Sequence, residues 1–105
     1  MKKSTKKDIT KVIFRKWSKK EGGGIIAFFP EIPADVYGYD MQSYEHTGQH
    51  GGSKYELLLR TTHPATAAEY DNLFKELELI GYNLRIVKRA TYADLQTRQE
   101  AAKTV

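Results

Sequence analysis

The sequence predicts an α+β fold: a single antiparallel sheet in the order β-β-(loop or edge strand)-β-α-β, with one amphipathic helix packed on one face. Three observations predict it. The first third is dense in β-branched and aromatic residues (KVIFRKW, GIIAFF), residues 66–81 carry both ends of an amphipathic helix, and YNLRIVKRA returns to strand-like alternation. A chain of 105 residues has room for one domain and one core. At that size roughly 65% of the unfolded surface is buried on folding, and one sheet under one helix is the economical two-layer way to bury it.

Taken in order, Lys11 to Trp17 reads as the first strand and Gly24 to Phe29 as the second. Between them KKEGGG supplies glycines for the positive φ angles of a hairpin turn. The second strand is apolar on both faces and therefore expected to be central; it is expected to stop at Pro30, since the two prolines of PEIP cannot donate to a ladder. Pro33 to Ser53 has no obvious element, although Met41 to His46 suits a short edge strand paired with Tyr55 to Thr62. In YELLLRTT, Tyr55, Leu57 and Leu59 alternate with Glu56, Leu58 and Arg60, which reads as a half-buried strand.

Thr66 to Glu69 has capping-box spacing, and Tyr70, Leu73, Phe74 and Leu77 then form one helical stripe. Asp71 and Lys75 make an i,i+4 pair on the opposite side, and Gly81 suits the residue after the helix, with Tyr82 folding back on Leu77. Tyr82 to Ala90 is the last expected strand. From Thr91 onward only Tyr92 and Leu95 are apolar anchors, so 91–105 is expected to be a polar tail or frayed helix. The expected organisation is a flexible basic arm over 1–10, a single α+β domain over 11–90, and that tail.

Charge is unevenly spread. Residues 1–20 hold nine Lys or Arg against Asp8 alone, +8, while the remaining residues hold eight basic and twelve acidic side chains, −4, giving the net +4. A basic arm with Lys2, Lys3, Lys6 and Lys7 attracts polyanions without sequence preference, and such terminal runs also serve simply to solvate a chain. With no cysteine, disulfides, thiolate metal sites and thiol catalysis are excluded. The longest apolar run, IIAFF, is far short of the roughly 20 residues of a membrane span, and no signal peptide is read in the Lys-rich N-terminus. The expected setting is cytoplasmic, with no membrane contact.

The candidate chemistry sits in YEHTGQHGGS, residues 44–53. His46 and His50 could converge with Glu45 or Asp40 on a metal, but nothing specifies a third ligand and the glycines oppose a helix, so neither metal nor cofactor is assigned. GQHGGSK fails as a phosphate-binding P-loop, because Tyr55 follows Lys54 and Ser53 precedes it; a looser anion nest on the Gly51 and Gly52 amides remains open. His46 and His50 with Lys54 could cleave a phosphodiester by acid–base catalysis. His46 and Gln49 could equally serve only to satisfy loop backbone groups. Tyr37, Tyr39 and Tyr44, spaced by Gly38 and polar residues, offer amphipathic contact area for a protein, a nucleic acid or a nucleotide. His63 is read as structural, and Trp17, Phe14 and Phe28 as core.

The stretches VIFRKW, IIAFFPEIPAD, SYEHTGQHGG and GYNLRIVKR together resemble a group of small uncharacterised proteins of bacteria, their phages and other mobile elements. The resemblance covers roughly residues 12–90, is carried by PEIPAD and GQHGG in that order, and brings no catalytic residues with it. It implies a cytoplasmic setting and an accessory role.

The expected function is therefore a small non-catalytic binding module. Its site is the Tyr37 to Ser53 segment (Tyr37, Tyr39, Tyr44, His46, Gln49, His50, Gly51 and Gly52), with the lysine arm assisting an acidic partner. The alternative is a small His-dependent phosphodiesterase or nucleotide-sequestering protein using the same loop. A third possibility is a homodimer built on an exposed edge strand.

Overall fold

The computed structural model describes residues 9–45 and 49–103; at Glu21, Gln49, His50 and Ser53 it describes the backbone alone. Strand β1 (Ile9–Trp17) begins within the stretch expected to be arm. A 3-10 turn (Lys19–Glu21) leads into β2 (Ile25–Pro33), followed by β3 (Met41–Glu45) and β4 (Gln49–Ser53). Helix α1 (Tyr55–Thr61), β5 (Thr62–Pro64), α2 (Ala67–Ile80), β6 (Asn83–Ile86) and α3 (Tyr92–Lys103) complete the order. The fold is α+β, with a six-stranded sheet in the order β4-β3-β2-β1-β5 and β6 also on β1. All pairings are antiparallel except β1–β6.

β1 and β2 form the centre, Ile13 opposite Phe28 and Phe14 opposite Ala27. Side chains alternate across the pleat, so the two strands feed two cores. Val12, Phe14, Ala27 and Phe29 lie under α2 with Leu73, Leu77 and Tyr44, while Ile13, Ile26 and Phe28 lie on the other face with Met41 and Leu58. The far edge of β1 is divided end to end. Its first half pairs with β6, Val12 opposite Ile86, and its second half with β5, Trp17 opposite Thr62.

Several expectations hold at residue level. Gly22 and Gly23, at φ 105° and 70°, turn the chain between β1 and β2. The α2 capping box is present: Glu69 N donates to Thr66 Oγ1 at 3.3 Å and Thr66 N to Glu69 Oε1 at 2.9 Å. At its other end Gly81 sits at φ 125°, and Tyr82 N donates to Leu77 O at 3.0 Å, closing a Schellman turn. The Tyr82 ring then stacks on Phe29 at 4.9 Å.

Three expectations are corrected and a fourth is narrowed. β2 passes through Pro30 and runs to Pro33, because the ladder shifts register between Phe29 and Pro33 and asks no N–H of the proline. β3 pairs with β2 and with β4 rather than with residues 55–62, so among the described residues the stretch without an element shrinks to 34–40 and Lys54. Tyr55 to Thr61 is a helix. Tyr55, Leu58 and Thr62 face inward at helical spacing, while Leu57 and Leu59 stay exposed; a run of three leucines satisfies either period, and leucine favours helix. Last, of the two forms expected for 91–105, a polar tail or a frayed helix, 92–103 takes the helix, and it is seated on β2.

Candidate functional site

α3 has little apolar surface of its own. Its buried residues are Asp94 and Arg98, 2% and 5% exposed. Thr91 and Asp94 form a second capping box: Asp94 N donates to Thr91 Oγ1 at 3.2 Å and Thr91 N to Asp94 Oδ2 at 2.9 Å. Asp94 Oδ1 accepts from Lys11 Nζ on β1 at 3.1 Å. Burial raises the Asp94 carboxyl, but the Thr91 N–H and the Lys11 ammonium outweigh it and hold the group below its ordinary range.

Arg98 reaches to the β2–β3 loop. Its Nη1 donates to Pro30 O at 2.6 Å, its Nε to Gly38 O at 3.2 Å, and its Nη2 makes a longer contact of 3.4 Å to Tyr39 O. Burial lowers the guanidinium from its ordinary value, while Asp94, Asp35 and Asp40 draw it back up. Gly38 makes the approach possible. At φ +77° a Cβ there would stand 2.7 Å from Gln99 Cα and 2.8 Å from Arg98 O. Within the loop Asp35 Oδ1 accepts from Asp40 N at 2.9 Å, which holds the Asp35 carboxyl low.

The loop, the start of α1 and the start of α3 enclose a cavity of about 550 Å³. Tyr39, Tyr55 and Tyr92 line it with Lys54, Asp40 and Leu95. Tyr39 and Tyr92 are 60% and 73% exposed, so their rings stand at the rim rather than in the core. Tyr37 stands beside Tyr39, ring centroids 6.5 Å apart and tilted by 42°. Asp40 Oδ1 is enclosed and has no hydrogen-bond donor among the described residues. The lining therefore offers aromatic faces, the Lys54 ammonium, the Glu56 carboxylate and the carbonyl-bound Arg98 guanidinium.

The expected site residues divide. Tyr37 and Tyr39 are exposed on the loop, and Lys54 precedes α1 at the cavity. Tyr44 is corrected: it is on β3, 3% exposed, and its hydroxyl donates to Glu76, which with burial raises the phenol above its ordinary value. The nest on Gly51 and Gly52 is also corrected. Both are strand residues opposite Ser43 and Gln42, with their amides along an extended ladder, not curled around a point. Gly52 answers a packing demand instead, since a Cβ there would stand 2.8 Å from Ala34 Cβ. Gln49 and His50 are β4 residues opposite Glu45 and Tyr44 in the backbone ladder. His46, Lys2, Lys3, Lys6 and Lys7 lie outside the described residues.

Tyr55, Tyr92 and Leu95 join the site without having been expected there. The T-x-x-D spacing of Thr91 and Asp94 was the signal that could have located α3, and with it Tyr92. Among the described residues no group of three or more His, Asp or Glu side chains gathers as metal ligands do, and no helix is long and apolar enough to cross a membrane. No protein-family model, curated protein or solved structure matches the chain.

Proposed function

We propose that the protein is a non-catalytic binding module that takes a single strand of nucleic acid at the Tyr39–Lys54–Tyr92 cavity. The observation that carries this reading is the set of tyrosines around a space flanked by the Lys54 ammonium. A tyrosine face stacks on any base, at about 1–3 kcal/mol per base. Lys54 supplies a phosphate contact. The lysines before Ile9 add screened, long-range attraction for the same polyanion. The resemblance drawn from the sequence adds an accessory role in a phage or mobile element as the setting. The phosphodiesterase reading draws on no side-chain geometry among the described residues.

Fluorescence anisotropy with short labelled oligonucleotides tests the reading. Strands of different base composition are expected to bind with similar affinity, since stacking on tyrosine tolerates any base. Tyr39→Ala and Tyr92→Ala are each expected to weaken binding about tenfold or more. Removing residues 1–8, with four lysines and one aspartate, is expected to flatten the salt dependence. Absence of binding at low salt, or binding indifferent to both tyrosine substitutions, overturns the proposal.

A further inference from the structure

The sheet ends differently on its two sides. β5 is three residues long and stops at Pro64, and β6 carries Arg85; shortness, proline and charge each turn away a further strand. β4, at the other end of the strand order, is the five-residue run QHGGS, with no proline and no Lys, Arg, Asp or Glu. Gly51 and Gly52 are exposed there, and neither lines the tyrosine cavity, so this edge stands apart from the nucleic-acid reading.

Register decides which β4 backbone groups point outward. Trp17 N donates to Gly24 O at 2.8 Å, and from such a pair hydrogen-bonded and non-hydrogen-bonded positions alternate along antiparallel strands. Carried through the registers from β1 to β3, the alternation bonds Ser43 to Gly51 and turns the N–H and C=O of His50 and Gly52 away from β3. Among the described residues no backbone bond beyond the β3 ladder reaches those groups. Such a row of unpaired groups is a template for another strand.

We propose that the occupant is β4 of a second copy, paired antiparallel about a two-fold axis at Gly51, so that two sheets join into one. His50 of each copy then faces Gly52 of the other, and both pairs exchange N–H···O bonds through the outward groups. Gly51 meets its own copy at a non-hydrogen-bonded position, where Cα atoms approach to about 4.5 Å, and glycine sets no side chain against its twin. An uncharged strand opposes no like charges when it pairs with itself. The ends of the hairpin are complementary: Glu45 stands across from Gln49 at one end and Lys54 follows Ser53 at the other, so antiparallel pairing lays the acidic end of each copy beside the basic end of the other. Hydrocarbon lies alongside, since Gly52, Trp17 and Leu57 line one groove of about 430 Å³ and Leu57 is 55% exposed.

Sedimentation velocity of the full chain at ~100 μM is expected to give twice the 12.0 kDa of one chain. Gly51→Glu sets two carboxylates face to face at the axis and is expected to sediment as a monomer with an unchanged far-UV CD spectrum; its new Cβ asks only that the Ser43 hydroxyl, 3.3 Å away, turn aside. If Gly51→Glu does not fold, His50→Pro decides, because it deletes an outward N–H, leaves the β3 ladder whole and is likewise expected to be monomeric. Amide exchange then locates the seam: the Gly52 amide is expected to exchange slowly in the wild-type dimer and fast in the monomeric variant. A wild-type monomer at ~100 μM, which would leave the edge to a strand of another protein, overturns the proposal. So does a dimer that withstands the folded variant, or one in which the Gly52 amide exchanges fast.

Discussion

Helices α2 and α3 are held to the same sheet by opposite means. α2 presents Tyr70, Leu73, Phe74 and Leu77 to the sheet and buries Leu73 and Leu77 in the larger core. α3 buries no large apolar side chain fully; Tyr92 is 73% exposed, and what it sinks are Asp94 and Arg98. One helix is docked by transfer of hydrocarbon from water. The other is docked by an arginine that binds β2 and loop carbonyls, an aspartate that holds Lys11, and a glycine that lets the backbones close. The difference shows that a helix with no apolar face can still be a fixed wall, provided its buried charges find acceptors and donors. That wall completes the tyrosine cavity.

Substitutions separate the two modes, beginning with the largest effect. Leu77→Ala removes a fully buried side chain under the sheet and is expected to cost about 2–5 kcal/mol of global stability, read by denaturant unfolding. Arg98→Ala strips charged donors from Pro30 O and Gly38 O and is expected to cost about 1.5–3 kcal/mol, spent on releasing α3 and opening the cavity rather than on unfolding the sheet. The caps sharpen the contrast at about 1 kcal/mol each: Thr66→Ala is expected to lower the global unfolding midpoint, and Thr91→Ala to loosen α3 alone.

Acid gives the smallest effect. Lys16 and the Thr66 N–H lower the Glu69 carboxyl from 4.5 to about 2. A depressed folded-state pKa makes the contribution complete above the unfolded value and removes it as pH falls through the folded one. The melting midpoint is therefore expected to decline between about pH 4.5 and 2 relative to Glu69→Gln, and the two curves to converge near pH 2. A constant gap across that window would detach the ion pair from α2 stability.

What was legible in the sequence follows from how many signals overlapped. α2 has a box, a stripe and a glycine stop, and all three proved correct. The KKEGGG turn and the central place of β2 were equally overdetermined. Tyr55 to Thr61 was ambiguous because leucine at 57, 58 and 59 fits both periods, and only the partner surface selects Leu58. Tyr44 was misplaced because its setting, MQSYEH, has too few aliphatic residues to announce a buried strand. Of the site, Tyr37, Tyr39 and Lys54 could be found from a polar, aromatic loop. Tyr92 could be placed on a helix only through the Thr91–Asp94 capping spacing, and its place at the site was not legible, because the docking of α3 depends on long-range polar contacts that leave no local pattern.

Amide hydrogen exchange on the wild-type chain and on Arg98→Ala tests the docking of α3 most directly. The account predicts slow exchange through Leu95–Ala101 in the wild type, lost in Arg98→Ala while the Leu73–Leu77 amides of α2 keep their protection. Fast exchange in wild-type α3, or protection there that survives Arg98→Ala, would contradict it.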